Sequence, residues 1–242
     1  MLDATGLAGA ENMAMDAALL EEADRSGRAF LRLYRWSPPC LSFGRHEPAI
    51  TRYDRAAIER LGLDVVRRPT GGRAVWHEHE VTYAVAAPIA TFGSLRDTYH
   101  AIHTRLAAAL RTLGLDATLA ANGPTVPLAS VGACFAKAVG GEVLIGSQKV
   151  VGSAQVRHGA AFLQHGSILL DGSQDVFARV SRSPVAGNGA TTLAAALGRP
   201  VAFDEVAAAI VAEWGAKMTP SDPVRLRPTP SAFSNPNWTW RR

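Results

Sequence analysis

Cysteine and lysine are scarce in this chain, and most of them are placed together. Of 242 residues only two are cysteine, and only three of the 25 basic side chains are lysine rather than arginine. Cys134, Lys137 and Lys149 all fall in the stretch Cys134 to Asp171. Arginine keeps its proton and spreads its charge over a plane. Lysine is a compact point charge whose proton can be removed. Lys149 therefore has two readings: a turn lysine at the surface, or a cation aimed at an oxygen or sulfur inside a cleft. Cys134 is either a small buried residue or an accessible thiol. It follows the Gly/Pro/Ser-containing segment Ala121 to Gly132, and such loops run over the surface, which argues for access. Cys40, between Pro39 and Leu41, reads as a core residue, the common fate of a free cysteine.

The surroundings of Lys149 favour a cleft. Glu142 to Ile145 reads as a strand, Gly146-Ser147 as a tight turn, and Lys149 to Ala154 as the returning strand. Gly152, Ser153 and Ala154 have almost no side chain, and small residues inside a strand mark close approach by a ligand or another backbone. Gly166 and Ser167 repeat the feature in the next apolar run, Ala160 to Leu170. Two neighbouring strands would then make a floor on which something can lie flat. A second small-residue segment follows the strand Leu63 to Arg67: Arg68-Pro69-Thr70-Gly71-Gly72-Arg73-Ala74-Val75-Trp76-His77. A glycine pair there lets the backbone approach a ligand and turn N–H groups toward it. The alternative is a hairpin turn between surface arginines. The segment is neither a Walker loop nor a dinucleotide fingerprint. His77-Glu78-His79-Glu80 lacks the i, i+4 histidine pair of a zinc-binding helix and is flanked by strand patterns, so no metal is expected there.

Several elements must position these segments. Asn12 to Ala23 has helical spacing of Met13, Ala17 and Leu20, with Asn12 as the expected N-cap. Phe30 to Trp36 reads as a strand, broken by Pro38-Pro39 and resumed from Cys40 to Phe43. A short helix ends over Ile58 to Leu61 at Gly62, and Val81 to Ala86 is a further strand. Tyr99 to Leu113 is a helix whose apolar face is Ile102, Leu106, Ala109, Leu110 and Leu113, stopped by Gly114. Helices follow at Gln174 to Val180, Thr192 to Leu197 and Glu205 to Lys217, the last capped by Asp204. The proline-rich end, Pro220 to Arg242, is expected to wrap the surface.

Composition bounds the class. The length suits one large domain spanning 1–242, with no internal repeat or linker. A hydrophobic fraction of 48% with no apolar run near the ~20 residues that span a bilayer indicates a globular, soluble chain. Met1-Leu2-Asp3 does not begin a signal peptide, and no apolar tail forms an anchor. Two cysteines give no disulfide framework, which fits the reducing cytoplasm. The net charge of +4 comes without a basic block interleaved with aromatics, which argues against nucleic acid.

Taken in order, these segments resemble the lipoate/octanoate attachment family, which shares the biotin/lipoate protein ligase catalytic domain. The resemblance is carried by NMAMDAALL (Asn12 to Leu20), Trp36 to Arg45, RRPTGGRAVWHEHEVTY (Arg67 to Tyr83), KVVGSAQVR (Lys149 to Arg157), QHGSILLD (Gln164 to Asp171) and the Trp238 to Arg242 tail. It implies an α+β fold, a mixed β-sheet flanked by helices and akin to class II synthetases. It implies a slot for a medium-length acyl chain at Arg68, Gly71, Gly72, Arg73, Ala74, His77, Gly152, Ser153, Ala154, His165 and Gly166. Cys134-Phe135, upstream of the lysine strand, is similar to the pair of LipM-type octanoyltransferases within that family. The implied mechanism is ping-pong, with Cys134 and Lys149 as the catalytic pair. Cys134 takes octanoyl from acyl carrier protein as a thioester. A lysine of a lipoyl domain, such as glycine cleavage H protein or a dehydrogenase E2 subunit, then attacks. Lys149 lowers the thiol pKa, and no cofactor is needed. The alternatives are a lipoate–protein ligase using ATP and Mg, alone or with a second chain, and a lipoyl amidotransferase. Ligases usually carry an additional C-terminal domain, for which this chain is expected to lack room. A non-catalytic acyl-binding protein is a third class, against which Cys134 and Lys149 together argue. The resemblance implies a cytoplasmic monomer with no metal, nucleic-acid or membrane partner.

Overall fold

The computed structural model describes residues 2–121, 140–184, 189–215 and 226–241. The chain opens with strand β1 (Leu2–Leu7) and helix α1 (Gly9–Ser26). Met13, Leu19, Leu20 and Ala23 form the buried face of α1, and Gly27, at φ 70°, ends it by donating its N–H to Ala23 O. The helix starts earlier than Asn12. Ala8 is the N-cap, its N–H held by Glu11 Oε2 at 3.1 Å. Asn12 instead lies buried inside α1, donating through Nδ2 to the carbonyls of Leu7 and Arg35 at 2.9 and 3.0 Å. It ties the helix to two strand ends rather than capping it.

Strands β2 (Phe30–Trp36) and β3 (Cys40–Phe43) flank the proline pair, as their pattern predicts. Two short helices follow, α2 (Ala49–Arg52) and α3 (Arg55–Arg60), then β4 (Asp64–Arg67), β5 (Val75–His77) and β6 (Glu80–Pro88). Helix α4 (Leu95–Thr112) begins with a capping box between Ser94 and Asp97. Beyond it lie β7 (Ala117–Leu119), β8 (Val143–Ile145), β9 (Gln148–Lys149), β10 (Val151–His158) and β11 (Ala161–Leu169). Short helices α5 (Val176–Val180) and α6 (Leu193–Leu197) precede α7 (Phe203–Trp214). Asp204 sits in the first turn of α7, and the N-cap is Ala202, not Asp204. Two single-turn helices, α8 (Pro230–Phe233) and α9 (Pro236–Thr239), close the described chain.

The main sheet has the order β1-β2-β6-β11-β10, with β1 and β2 parallel and the other pairs antiparallel. Two three-stranded sheets, β4-β3-β5 and β7-β8-β9, complete the architecture. Alternation along each strand sends side chains to opposite faces. Tyr34, Trp36, Ala84 and Leu163 pack with Met13 and Leu19 of α1. Leu33, Tyr83 and Val85 pack on the other face with Ile102 and Leu106 of α4 and Ile210 of α7. This is an α+β fold with a mixed sheet flanked by helices, as expected. Among the described residues no helix is long and apolar enough to cross a membrane.

One expected strand divides. Lys149 and Ala154 do not share a strand: β9 pairs with β8, and β10, beginning at Val151, pairs with β11. The chain changes sheets at Val150, so Lys149 and the small-residue floor belong to different sheets.

Candidate active site

The floor inferred from Gly152, Ser153, Ala154, Gly166 and Ser167 is real, and strand register extends it across the main sheet. Gly152 lies opposite Ser167, Ser167 opposite Thr82, and Thr82 opposite Tyr34. Ala154, His165, Ala84 and Arg32 form the next row on the same face. Each row crosses four strands, roughly 14 Å at about 4.8 Å per step. Against this face lies a cavity lined by residues that include Met13 from α1, Tyr34, Trp36, Arg68, Val75, His77, Thr82, Gly152, Ser153, Ala154, His165, Gly166 and Ser167. Gly166 has no room for a side chain. An added Cβ would stand 2.5 Å from Gly152 O and from Ser153 Oγ and 2.8 Å from Tyr83 Cε1.

The polar groups in the wall bond to each other. His165 Nδ1 lies 2.8 Å from Asp16 Oδ2 and its Nε2 2.6 Å from Thr70 Oγ1. A carboxylate only accepts, so Nδ1 carries the proton and Thr70 donates to Nε2. Asp16 also accepts from Tyr34 Oη at 2.8 Å and from Arg32 Nη1 at 3.0 Å, and both Asp16 and Arg32 are wholly buried. His77 repeats the arrangement: Nδ1 donates to Glu80 Oε1 at 2.8 Å, and Nε2 accepts from Ser42 Oγ at 2.6 Å. Its ring stacks on Trp36 with centroids 4.0 Å apart. Burial holds the His77 pKa below that of an ordinary histidine, against the opposing pull of Glu80, so the ring is neutral at pH 7. Ser167 Oγ donates to the same Glu80 oxygen at 2.8 Å, and Thr82 Oγ1 donates to it too. Trp36 Nε1 bonds Thr82 at 2.7 Å. Arg68 spends its guanidinium on Ser42 and on the carbonyls of Gly71 and Arg73. Apart from Glu80 Oε2, which is buried without a hydrogen-bond partner among the described residues, these polar atoms bond to one another, so much of what meets an occupant is ring face, methyl and methylene.

Seven of the expected slot residues line this cavity: Arg68, His77, Gly152, Ser153, Ala154, His165 and Gly166. Gly71, Gly72, Arg73 and Ala74 are not among the lining residues. The loop 71–73 instead serves Arg68 by offering carbonyls to it, and Ala74 is packed with Leu41 and Phe43. Gly72, at φ 88°, stands beside the rim, where an added Cβ would be 3.7 Å from Ala154 Cβ. Asp16, Tyr34, Trp36 and Thr82 are not among the residues the sequence points to; Met13 reads there only as part of a helix face, and Glu80 only as part of a rejected metal run. A charge on the apolar stripe of α1, Asp16, and another inside the apolar strand β2, Arg32, were the signals that could have found the network.

Lys149 lies on the other side of the strands. It is 2% exposed, and its Nζ is 2.6 Å from Oε1 of the equally buried Glu142. Ser153 Oγ also points to that side, within 2.6 Å of Tyr83 Oη and 2.8 Å of His103 Nε2. His103 Nδ1 donates to Gly141 O at 2.6 Å. Lys149 is thus no surface turn lysine, and it is not among the residues that line the cavity. Cys134 lies outside the described residues. Cys40 is buried beside Asp64, and burial pushes its thiol pKa well up, so it is a core residue and a poor nucleophile.

Comparison with known proteins follows from this geometry. Residues 8–215 match the family model described as the lipoyl protein ligase A/B catalytic domain. An octanoyltransferase LipM of Carboxydothermus hydrogenoformans is 40% identical over 183 residues, 74% of this chain and 67% of that protein. One from Symbiobacterium thermophilum is 36% identical over 243 residues, covering 91% of this chain and 88% of that one. Among solved structures, a putative lipoate protein ligase from T. acidophilum superposes with a TM-score of 0.75 at 19% identity, covering 99% of this chain and 97% of that one.

Proposed function

The chain belongs to the lipoyl protein ligase A/B catalytic-domain family, and we propose that it moves an octanoyl group onto a lysine of lipoyl domains in lipoate biosynthesis, through a thioester on Cys134. The observation that carries this reading is the cavity. Its walls are apolar or internally hydrogen-bonded, and the small residues Gly152, Ser153, Ala154 and Gly166 among them leave room for an extended alkyl chain to lie along the strands. At about 0.8 kcal/mol per buried methylene, such a chain gains on the order of 5 kcal/mol before the costs of binding.

The Cys134 thiolate attacks the carbonyl carbon of octanoyl-acyl carrier protein. A new C–S bond forms, and the carrier's own C–S bond breaks, releasing its thiolate, which takes a proton. The neutral amine of the acceptor lysine then attacks the Cys134 thioester. The C–N bond forms, the C–S bond breaks, and the amine loses a proton. Lys149 is buried and lines no part of the cavity, so the positive charge it contributes to thiolate and to the developing oxyanion acts from behind the floor. No nucleotide or metal enters this scheme.

The test is incubation with octanoyl-acyl carrier protein and an apo lipoyl domain, with and without ATP, read by intact mass. Transfer without ATP is expected, together with a hydroxylamine-sensitive adduct on Cys134 when only the donor is present. If free octanoate plus ATP modifies the acceptor while the carrier thioester does not, the chain is a ligase. An adduct that persists in Cys134→Ala removes Cys134 from the mechanism.

A further inference from the structure

Lys149 is held by a device that the reaction scheme does not use. Glu142, 3% exposed, immediately precedes β8, and its Oε1 meets Lys149 Nζ at 2.6 Å. That is a short, charge-assisted bond between buried partners. The backbone fixes both ends. Glu142 O accepts from Ala120 N at 2.8 Å, and the preceding Gly141 bonds Ala120 O through its N–H and receives His103 Nδ1 on its carbonyl. Lys149 N donates to Gly189 O at 3.2 Å, and Lys149 O accepts from Thr191 N at 2.9 Å. The ammonium is therefore placed by two strands and a carboxylate, not by a flexible stem reaching from the surface.

A buried ammonium without a counter-charge gives up its proton, because burial penalises the charged form. A lysine that must offer positive charge to an acyl oxygen cannot afford that loss. The other titratable groups near Lys149 do not compensate. His103, on α4, carries no counter-charge, and its own pKa is lowered by burial and further by the charge of Lys149. We infer that Glu142 is the positioning residue for Lys149: it holds the ammonium in place and keeps it charged inside the fold. This rests on the proposed reading of Lys149 as the cation of the acyl-transfer steps.

Glu142→Gln keeps the shape and removes the charge. In that variant the proton of Lys149 should leave at lower pH. The alkaline limb of the kcat/KM profile for octanoyl transfer should move down by about one pH unit or more, which is roughly a tenfold loss of rate at any fixed pH on the falling limb. Glu142→Asp, which keeps the charge on a shorter stem, should recover part of the rate and most of the profile. If Glu142→Gln does not fold, the Asp variant carries the test through its smaller shift in the same direction. An unshifted profile and wild-type rate in the folded Gln variant, or failing that in Glu142→Asp, overturn the inference when Lys149→Ala is inactive. Full activity in Lys149→Ala instead sinks the reading of Lys149 on which the inference rests.

Discussion

Both nitrogens of His103 are committed, Nδ1 donating to Gly141 O and Nε2 facing Ser153 Oγ; a second proton leaves the first bond in place and turns Nε2 from acceptor to donor toward Ser153. Burial, with the nearby charge of Lys149, lowers its pKa to about 4. In the unfolded chain it returns to about 6.5. Between those values the unfolded state binds a proton that the folded state refuses, so stability falls as pH falls. The loss begins near pH 6.5, is complete near pH 4, and amounts to on the order of 3 kcal/mol. His77 is lowered by burial and contributes with the same sign. Urea midpoints should therefore drop between pH 7 and pH 4.5, and His103→Gln should drop less. Equal slopes in the two proteins would show that His103 titrates normally. None of this was visible in the sequence, where His103 is one polar residue on an amphipathic helix and its partners are distant in sequence. Lys149 stands out in the sequence because lysine is rare here. Its carboxylate partner does not, because pairing across a turn cannot be read from residue types.

At the scale of elements, the small-residue run of β10 was legible because glycine, serine and alanine in succession are unusual within a strand. Its neighbour β11 was legible for the same reason, at Gly166 and Ser167. The change of sheet at Val150 was hidden, since Lys149-Val150-Val151 reads as unbroken extended chain. What decides it is the pairing of β9 with β8, a contact made only after folding. The glycine pair at 71–72, expected along the slot, stands beside the cavity residue Ala154 in a loop whose carbonyls hold Arg68. The slot can be closed from β10. Ala154 lies on an edge strand, half-buried, facing the row of His165 and Ala84. Ala154→Phe would place a ring in the cavity without disturbing the packed face behind it. Acylation by the octanoyl donor should fall about a hundredfold or more with a melting temperature within a few degrees of wild type, while acetyl loading should suffer less. Normal octanoyl loading in a folded Ala154→Phe protein would move the acyl site elsewhere.

At the scale of the molecule, adjacent arginines in the RRPTGG segment divide the labour between site and fold. Arg68 belongs to the cavity, and Arg67, on the opposite side of β4, is wholly buried. Arg67 donates to six backbone carbonyls. Three belong to the turn after β3: Gly44 and Glu47, each at 2.7 Å, and Arg45 at 3.2 Å. Three belong to the chain end: Trp238 at 2.9 Å, and Thr239 and Arg241, each at 3.1 Å. Trp238 Nε1 returns a bond to Arg67 O at 3.0 Å, and Trp240 packs edge-on against Phe43. The expectation that the end merely wraps the surface therefore understates it, because residues 236–241 are stitched to the loops that carry the site. Arg67→Met keeps the apolar stem and leaves these carbonyls without their donor. The loss should be about 3 kcal/mol or more, a fall of roughly 10 °C in melting temperature for a chain of this size. Arg67→Lys should recover little, because one ammonium cannot span carbonyls that a planar five-donor fork reaches from two sides. Limited proteolysis should cut both variants within 226–241 sooner than wild type. Octanoyl transfer per folded molecule, measured well below the melting temperature, should stay within a few-fold of wild type, in contrast with Arg68→Met, which opens the cavity wall. Arg67→Met with an unchanged melting temperature and unchanged cleavage would show that the tail is held by its aromatic contacts alone.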